Sequence, residues 1–170
     1  SLRRRAQLLN RRPDLNVVEF RGNVQTRLKK LDDGIAECTF LATAGLKRLG
    51  RDDVPATPVD PDDMLPAVAQ GAIGIERRAD DARMQEMLAA VHDTPTGQRL
   101  AAERAFLQER DGSCETPIAG LATLDGDELH LRGEVLRPDG SQSLSGERIG
   151  PIATGATMGV ELAKELLERA

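Results

Sequence analysis

Arginine dominates the residues that could do chemistry in this sequence. Arg3, Arg4 and Arg5 stand in a row, and Arg11, Arg12, Arg21, Arg27 and Arg48 follow within the first 50 positions. A planar guanidinium fork grips a carboxylate or phosphate through two parallel hydrogen bonds, whereas a lysine acts as a point charge. Residues 1–50 hold 11 basic side chains (eight Arg, three Lys) against five acidic ones, a net of +6, and the remaining 120 carry 12 against 23, a net of −11. The basic end therefore points to an anionic ligand, with a solvated helix face as the competing reading for any single arginine. The other reactive groups are few: Cys38, Cys114, His92 and His130. The cysteines are far apart and form no CxxC or Cys/His cluster, so neither a zinc site nor a disulfide framework is indicated. Cys114 falls in a loop between a helix and a strand, where a thiol is open to reaction as thiolate, while Cys38 lies in an apolar strand run and reads as an inert core residue. His92 near a helix end and His130 on the polar side of a strand read as surface groups.

Composition narrows the function classes. The 170 residues are 39% hydrophobic with a net charge of −5, which suits a folded globular chain. There is no Trp, no Tyr, and only Phe20, Phe40 and Phe106, so a platform that stacks nucleic-acid bases is not expected. No apolar run approaches the ~20 residues that span a bilayer, and Ser1-Leu2-Arg3-Arg4-Arg5 does not lead into the apolar stretch of a secretory signal. The expectation is a cytoplasmic protein with neither nucleic acid nor membrane as partner. Ser rather than Met at position 1 leaves open a fragment or a processed chain.

The elements that must hold the arginines can be read from periodicity. Val17-Val18-Glu19-Phe20 suggests a strand, Val24, Leu28 and Leu31 a helix, Cys38-Thr39-Phe40-Leu41 a second strand, and Ala44 to Leu49 a second helix. Such alternation favours a parallel sheet covered by helices, with ligands at the carboxyl ends of strands, and Arg21 directly follows the first strand. Pro55, Pro58, Pro61 and Pro66 mark a crossover or hinge. Ala69 to Glu76 reads as a short apolar strand whose Gly71 and Gly74 match no phosphate-loop pattern. A helix from about Thr94, with Thr94 as N-cap and Pro95 in the first turn, carries Ala102, Ala105 and Phe106 on one face. Leu129, Leu131 and Val135 alternate with His130, Arg132 and Glu134 in a half-buried antiparallel strand, Pro138-Asp139-Gly140 makes a turn, and Leu162, Ala163, Leu166 and Leu167 stripe a closing helix. The last third is thus a separate small α+β unit.

Five blocks, in order, carry a family resemblance: Ser1-Leu2-Arg3-Arg4, Phe20 to Leu28 (FRGNVQTRL), Ala44 to Gly50 (AGLKRLG), Pro66 to Glu76 (PAVAQGAIGIE) and Gly112 to Ile118 (GSCETPI). Together they resemble porphobilinogen deaminase, the hydroxymethylbilane synthase family, over essentially all 170 residues but only over the later part of that enzyme. The resemblance implies an α/β, periplasmic-binding-protein-like parallel-sheet domain over 1–65, a returning strand and helix of an otherwise missing first domain over 66–92, and an α+β cofactor-attachment domain over 93–170. It implies a dipyrromethane cofactor held covalently through Cys114. Arg3, Arg4 and Arg21 would bind the carboxylates of that cofactor, and Arg21, Arg27, Arg48 and Gln70 those of porphobilinogen and the growing polypyrrole chain. Arg5, Arg11 and Arg12 lack such support and read as solvated.

The reaction so implied is loss of ammonia from porphobilinogen and attack by the free α-carbon of the terminal pyrrole, repeated until four units are joined and released by water. A carboxylate beneath the rings would stabilise the charge that develops on pyrrole nitrogen. In the family that aspartate belongs to the N-terminal segment, so no catalytic residue is assigned in this chain and no metal is expected. Ala69 stands where the family usually has Gly, and Arg77 where Cys is frequent; both departures are expected to be tolerated. Without the first segment, the strand near Gln70 to Gly74 would present unpaired edges, so the isolated chain is expected to be unstable or to assemble with a missing half. The readings from other classes are a non-catalytic, Arg-lined anion-binding module and a regulatory partner that has lost catalysis.

Overall fold

The computed structural model describes residues 1–109 and 116–169. The chain divides into two compact units, Ser1–Pro13 with Met64–Ala170, and Asp14–Asp63. The chain is a mixture of helices with one small sheet, and no helix among the described residues is long and apolar enough to cross a membrane.

The larger unit is built around strands β1 (Ile118–Asp125), β2 (Glu128–Leu136) and β3 (Ser143–Pro151), antiparallel in the order β1-β2-β3. A two-residue turn joins β1 to β2, and its Gly126 takes φ +56°, a conformation that costs glycine nothing. The expected alternation on β2 is present: Leu129, Leu131 and Val135 are buried while His130, Arg132 and Glu134 are not. Pro138 to Gly140 turns as expected, with the Asp139 side chain accepting the Ser141 N–H at 2.9 Å.

Helices α5 (Thr94–Glu109) and α6 (Gly155–Glu168) cover one face of this sheet. The cap of α5 falls one residue earlier than expected: the Asp93 side chain accepts the Thr96 N–H at 2.8 Å, and Thr94 is already helical. Asp is at least as good an N-cap as Thr, and Pro95 in the first turn forfeits no intrahelical bond. Phe106, Ala102, Leu129, Leu131, Leu162, Ala163 and Leu166 are fully buried. Each large side chain among them contributes about 1.5–3 kcal/mol on burial. Leu167, expected in the same stripe, is 46% exposed, because it lies a further 100° round the helix from Leu166. Close approach replaces bulk between the layers: a Cβ on Gly159 would meet the Ala102 carbonyl oxygen at 2.4 Å, and one on Gly133 the Phe106 ring at 2.6 Å. The unit also holds α1 (Leu2–Arg11) and α4 (Ala82–Ala89). Helix α1 joins this unit through Ala6 and Gln7, which are buried.

The smaller unit contains α2 (Val24–Asp32) and α3 (Thr43–Arg48), close to their expected positions. Asn23 caps α2, accepting the Thr26 N–H at 2.9 Å. The flanking segments 17–20 and 38–41 do not form a ladder, so no parallel sheet stands over residues 1–65 and the sheet among the described residues is antiparallel. A strand exists only where a neighbour takes its N–H and C=O groups, and these two runs have β composition without such a neighbour. For the same reason Cys38 is exposed, not a core residue. The expected strand over 69–76 is likewise a turn followed by unpaired chain, with Ile73 86% exposed and Ile75 61% exposed.

Candidate functional site

Helix α1 begins at Ser1, whose hydroxyl caps the Arg4 N–H at 3.4 Å, so that Arg3 and Arg4 both fall in the first turn. Arg3 is 9% exposed. Its Nη1 donates to Gln7 Oε1 at 2.8 Å and to the Leu65 carbonyl, and its Nη2 reaches Gln70 Oε1 at 3.5 Å. Gln7 donates in turn to the Leu65 carbonyl at 3.2 Å and to Glu134 Oε2 at 2.7 Å, while Ser143 donates to the other Glu134 oxygen at 2.7 Å. Burial lowers the pKa of Arg3, the neighbouring charge of Arg4 lowers it further, and Glu134 opposes both. Two guanidinium groups side by side, one of them stripped of water, favour an added anion.

The turn that faces Arg3 runs from Pro66 to Gln70. Gly120 N–H donates to the Pro66 carbonyl at 3.0 Å, and Gln70 Oε1 accepts the Ala67 N–H at 3.2 Å. Ala69 sits at φ +59°, a left-handed conformation that costs a non-glycine residue about 1–2 kcal/mol. A pocket of about 470 Å³ opens here, with Arg3, Arg4 and Gln70 at its polar side and Val68, Leu107 and Pro117 among its apolar walls. Its lining includes Leu107 near the end of α5 and Thr116 before β1. Cys114 belongs to the segment between them and lies outside the described residues.

The structure thus gathers Arg3, Arg4 and Gln70 around one pocket, all within the larger unit. Arg21, Arg27 and Arg48 belong to the smaller one. There, Arg21 pairs with Glu19 at 2.7 Å with its side chain 85% exposed. Arg27 is half-buried and donates to the Gly22 carbonyl at 2.9 Å and the Phe40 carbonyl at 3.4 Å, holding the two ends of the 22–40 excursion. Lys30 donates to the Arg21 carbonyl at 2.9 Å and lies over the Phe20 ring. Arg48 is exposed at the last residue of α3, and Arg5, Arg11 and Arg12 are exposed as well. His130 pairs with Glu147 at 2.7 Å across the β2–β3 pair.

Sequence reasoning missed three polar residues of the pocket's support: Gln7, Glu134 and Glu103. Gln7 stands four residues from Arg3, on the same helical face. Glu103 interrupts the apolar face of α5 between Ala102 and Phe106, and a charged residue inside such a stripe is a legible signal. Glu134 looks like any outward residue of an alternating strand, and nothing local marks it.

The pocket thus brings together two arginines presented by a helix start, one of them held in a buried polar network. Two family models match the chain: "Porphobilinogen deaminase, dipyromethane cofactor binding domain" over residues 1–86 and "Porphobilinogen deaminase, C-terminal domain" over residues 98–168. All 170 residues align with a porphobilinogen deaminase of Paracoccus denitrificans at 66% identity and with one of Nitrobacter hamburgensis at 50%. The chain spans 54% of the length of each of these curated relatives. It belongs to the porphobilinogen deaminase family.

Proposed function

We propose that the chain is the later portion of a hydroxymethylbilane synthase, a transferase of tetrapyrrole and haem biosynthesis that joins four porphobilinogen units by successive deamination. The observation that carries this reading is the pocket of Arg3, Arg4 and Gln70, whose lining includes Leu107 and Thr116, the residues that flank Cys114 in sequence on either side. Its donor set suits dipyrromethane: guanidinium groups for carboxylates and apolar walls for the faces of pyrrole rings. Covalently held through Cys114, that group would supply the carbon nucleophile to which each porphobilinogen is added.

The chain's own residues bind and orient. Arg3 and Arg4 would neutralise cofactor carboxylates from the first turn of α1, with Gln7 and Glu134 keeping the Arg3 guanidinium in plane. Arg21, Arg27, Arg48 and Gln70 would take the carboxylates of incoming and elongating pyrroles. The carboxylate that stabilises developing positive charge is expected from the N-terminal part of the complete enzyme, so catalysis would be shared between segments. That part is also the proposed partner of this chain. The runs 17–20, 38–41 and 72–76 have strand composition, and exposed Ile73 and Ile75 favour pairing with further strands. Residues 1–65 would then belong to a parallel-sheet domain, 66–92 would return to the first domain, and 93–170 would carry the cofactor. A cytoplasmic location accords with the sequence expectation.

Intact mass under denaturing conditions, before and after incubation with porphobilinogen, each unit of which is attached with loss of ammonia, tests this reading. The expected result is an added pair of pyrrole units mapped to Cys114, lost in Cys114→Ala and retained in Cys38→Ala. An adduct that survives Cys114→Ala overturns the cofactor assignment, and reversible anion binding with no adduct at all favours a non-catalytic binding module instead.

A further inference from the structure

We propose that Glu103 is a positioning residue that sets the turn Pro66–Gln70, and through it Gln70, against Arg3. The pocket-ligand arm of the test rests on the function proposed above; the exchange arm does not.

Glu103 lies in the middle of α5, 5% exposed, beside fully buried Ala102 and Phe106. Each of its carboxyl oxygens accepts a backbone N–H from a different element: Oε2 from Ala69 at 2.7 Å and Oε1 from Ala122 at 2.9 Å. One side chain thereby ties helix, strand and turn together. The Ala69 N–H it engages belongs to the one non-glycine residue at positive φ among those described. On the far side of the same turn, Gln70 Oε1 meets both Ala67 N–H and Arg3 Nη2. Glu103 thus fixes the backbone on one side of Ala69, and the amide that faces the guanidinium follows on the other. Val68 and Gln70, which line the pocket, flank the clamped residue.

The clamp needs two acceptor oxygens. A glutamine in its place has one, and its NH2 would face a buried N–H donor, leaving that donor unmet. The consequence is specific: with the left-handed turn released, Gln70 and Val68 lose their register relative to Arg3, and affinity for a dicarboxylate falls although the guanidinium groups remain.

Four chains test this: the 170-residue wild type, Glu103→Gln, Ala69→Gly combined with Glu103→Gln, and Leu166→Val, a core variant of the same unit that packs near Gly146 of β3, across the sheet's width from the clamped Ala122 of β1. Hydrogen exchange at the Ala69 amide is read relative to the Leu131 amide, so that general loss of stability cancels. Porphobilinogen is the ligand probe, followed by equilibrium titration. The expected outcome is a rise of at least tenfold in the Ala69-to-Leu131 exchange ratio for Glu103→Gln, a comparable weakening of porphobilinogen binding, neither change in Leu166→Val, and partial recovery of binding in the double variant. That rescue follows because glycine adopts φ +59° without strain, and a merely structural role for Glu103 gives no reason for it. An unchanged exchange ratio overturns the proposal whatever happens to binding. A raised ratio with wild-type affinity overturns it too, since the clamp would then position nothing. If the wild type binds no porphobilinogen, the proposed function fails on that count, and the exchange ratio alone decides the clamp.

Discussion

The two units of this chain differ in how much of their own stability they supply. In the larger, a three-stranded sheet is covered by α5 and α6, and a contiguous core runs from Ala102 and Phe106 through Leu131 to Leu166. In the smaller, residues 14–63, Leu46 is the single buried hydrophobic residue; Leu15, Val18, Ile35, Leu49 and Val59 are all at least 37% exposed. Both stretches have similar apolar patterning, so hydrophobic content does not separate them. Completion does: one set of apolar faces finds partners inside its own unit, and the other leaves them at the surface.

The largest effect that could break this comparison comes from the two cores. Phe106→Ala removes a ring that touches the Gly133 position and is expected to cost the larger unit about 3–5 kcal/mol, read as a fall in its urea midpoint. Leu46→Ala, at 8% exposure and with no second buried hydrophobic residue in its unit, is expected to cost the smaller unit about 2 kcal/mol, the low end for such a truncation. Equal losses would mean that the smaller unit has a core as cooperative as the larger one.

Glycine substitutions sharpen the contrast at smaller scale. Gly159→Ala drives a methyl group to within 2.4 Å of the Ala102 carbonyl oxygen and is expected to destabilise by about 1–3 kcal/mol, because backbone rather than a flexible side chain must yield. Gly45→Ala in α3 meets its nearest neighbour, a Val24 methyl carbon, at 3.5 Å, an ordinary contact. There the helix propensity of alanine is expected to prevail and to stabilise by up to about 1 kcal/mol. Thermal melts of both variants read the sign directly, and a stabilised Gly159→Ala would contradict the tight α5–α6 approach.

The same contrast explains what was legible in the sequence. Alternation on β2, the stripe of α6 and the turn at Asp139 are local patterns whose partners lie a few dozen residues away, and the structure realises them. The runs at 17–20, 38–41 and 69–76 have equally good strand composition, but a strand is a property of a pair, and composition does not reveal whether the pair is present. Cys38 is exposed for that reason: the burial expected of it needs a sheet that the described residues do not form. Within the pocket, Arg3, Arg4 and Gln70 are legible from the family blocks, whereas Glu103 ties to Ala122 and Gln7 to Glu134 through hydrogen bonds spanning 19 and 127 positions, which periodicity cannot see.

The smallest expected effect is acid sensitivity, and it too separates the units. Asp93, held by the Thr96 hydroxyl and N–H, Asp139, held by the Ser141 N–H and hydroxyl, and Glu165, held by Arg148 and then Arg169, all have carboxyl pKa values below the ordinary range. They belong to the larger unit; in the smaller, Asp53 is lowered by its hydrogen bond to Arg51. A folded-state pKa below the unfolded value adds stability that is present above the unfolded value, near pH 4, and is lost as pH falls through the folded one. The urea midpoint of the larger unit is therefore expected to decline below about pH 4. Salt then distinguishes the causes. Roughly 1 M NaCl screens the arginine pairs of Glu165 and Asp53 but leaves the hydrogen bonds to Asp93 and Asp139 intact. The larger unit should keep part of its acid-dependent slope in salt and the smaller should lose nearly all of its own, while Glu165→Gln should reduce only the salt-sensitive part. A slope that vanishes equally in both units would assign the acid response to surface ion pairs alone, and the helix cap and the β-turn would carry none of it.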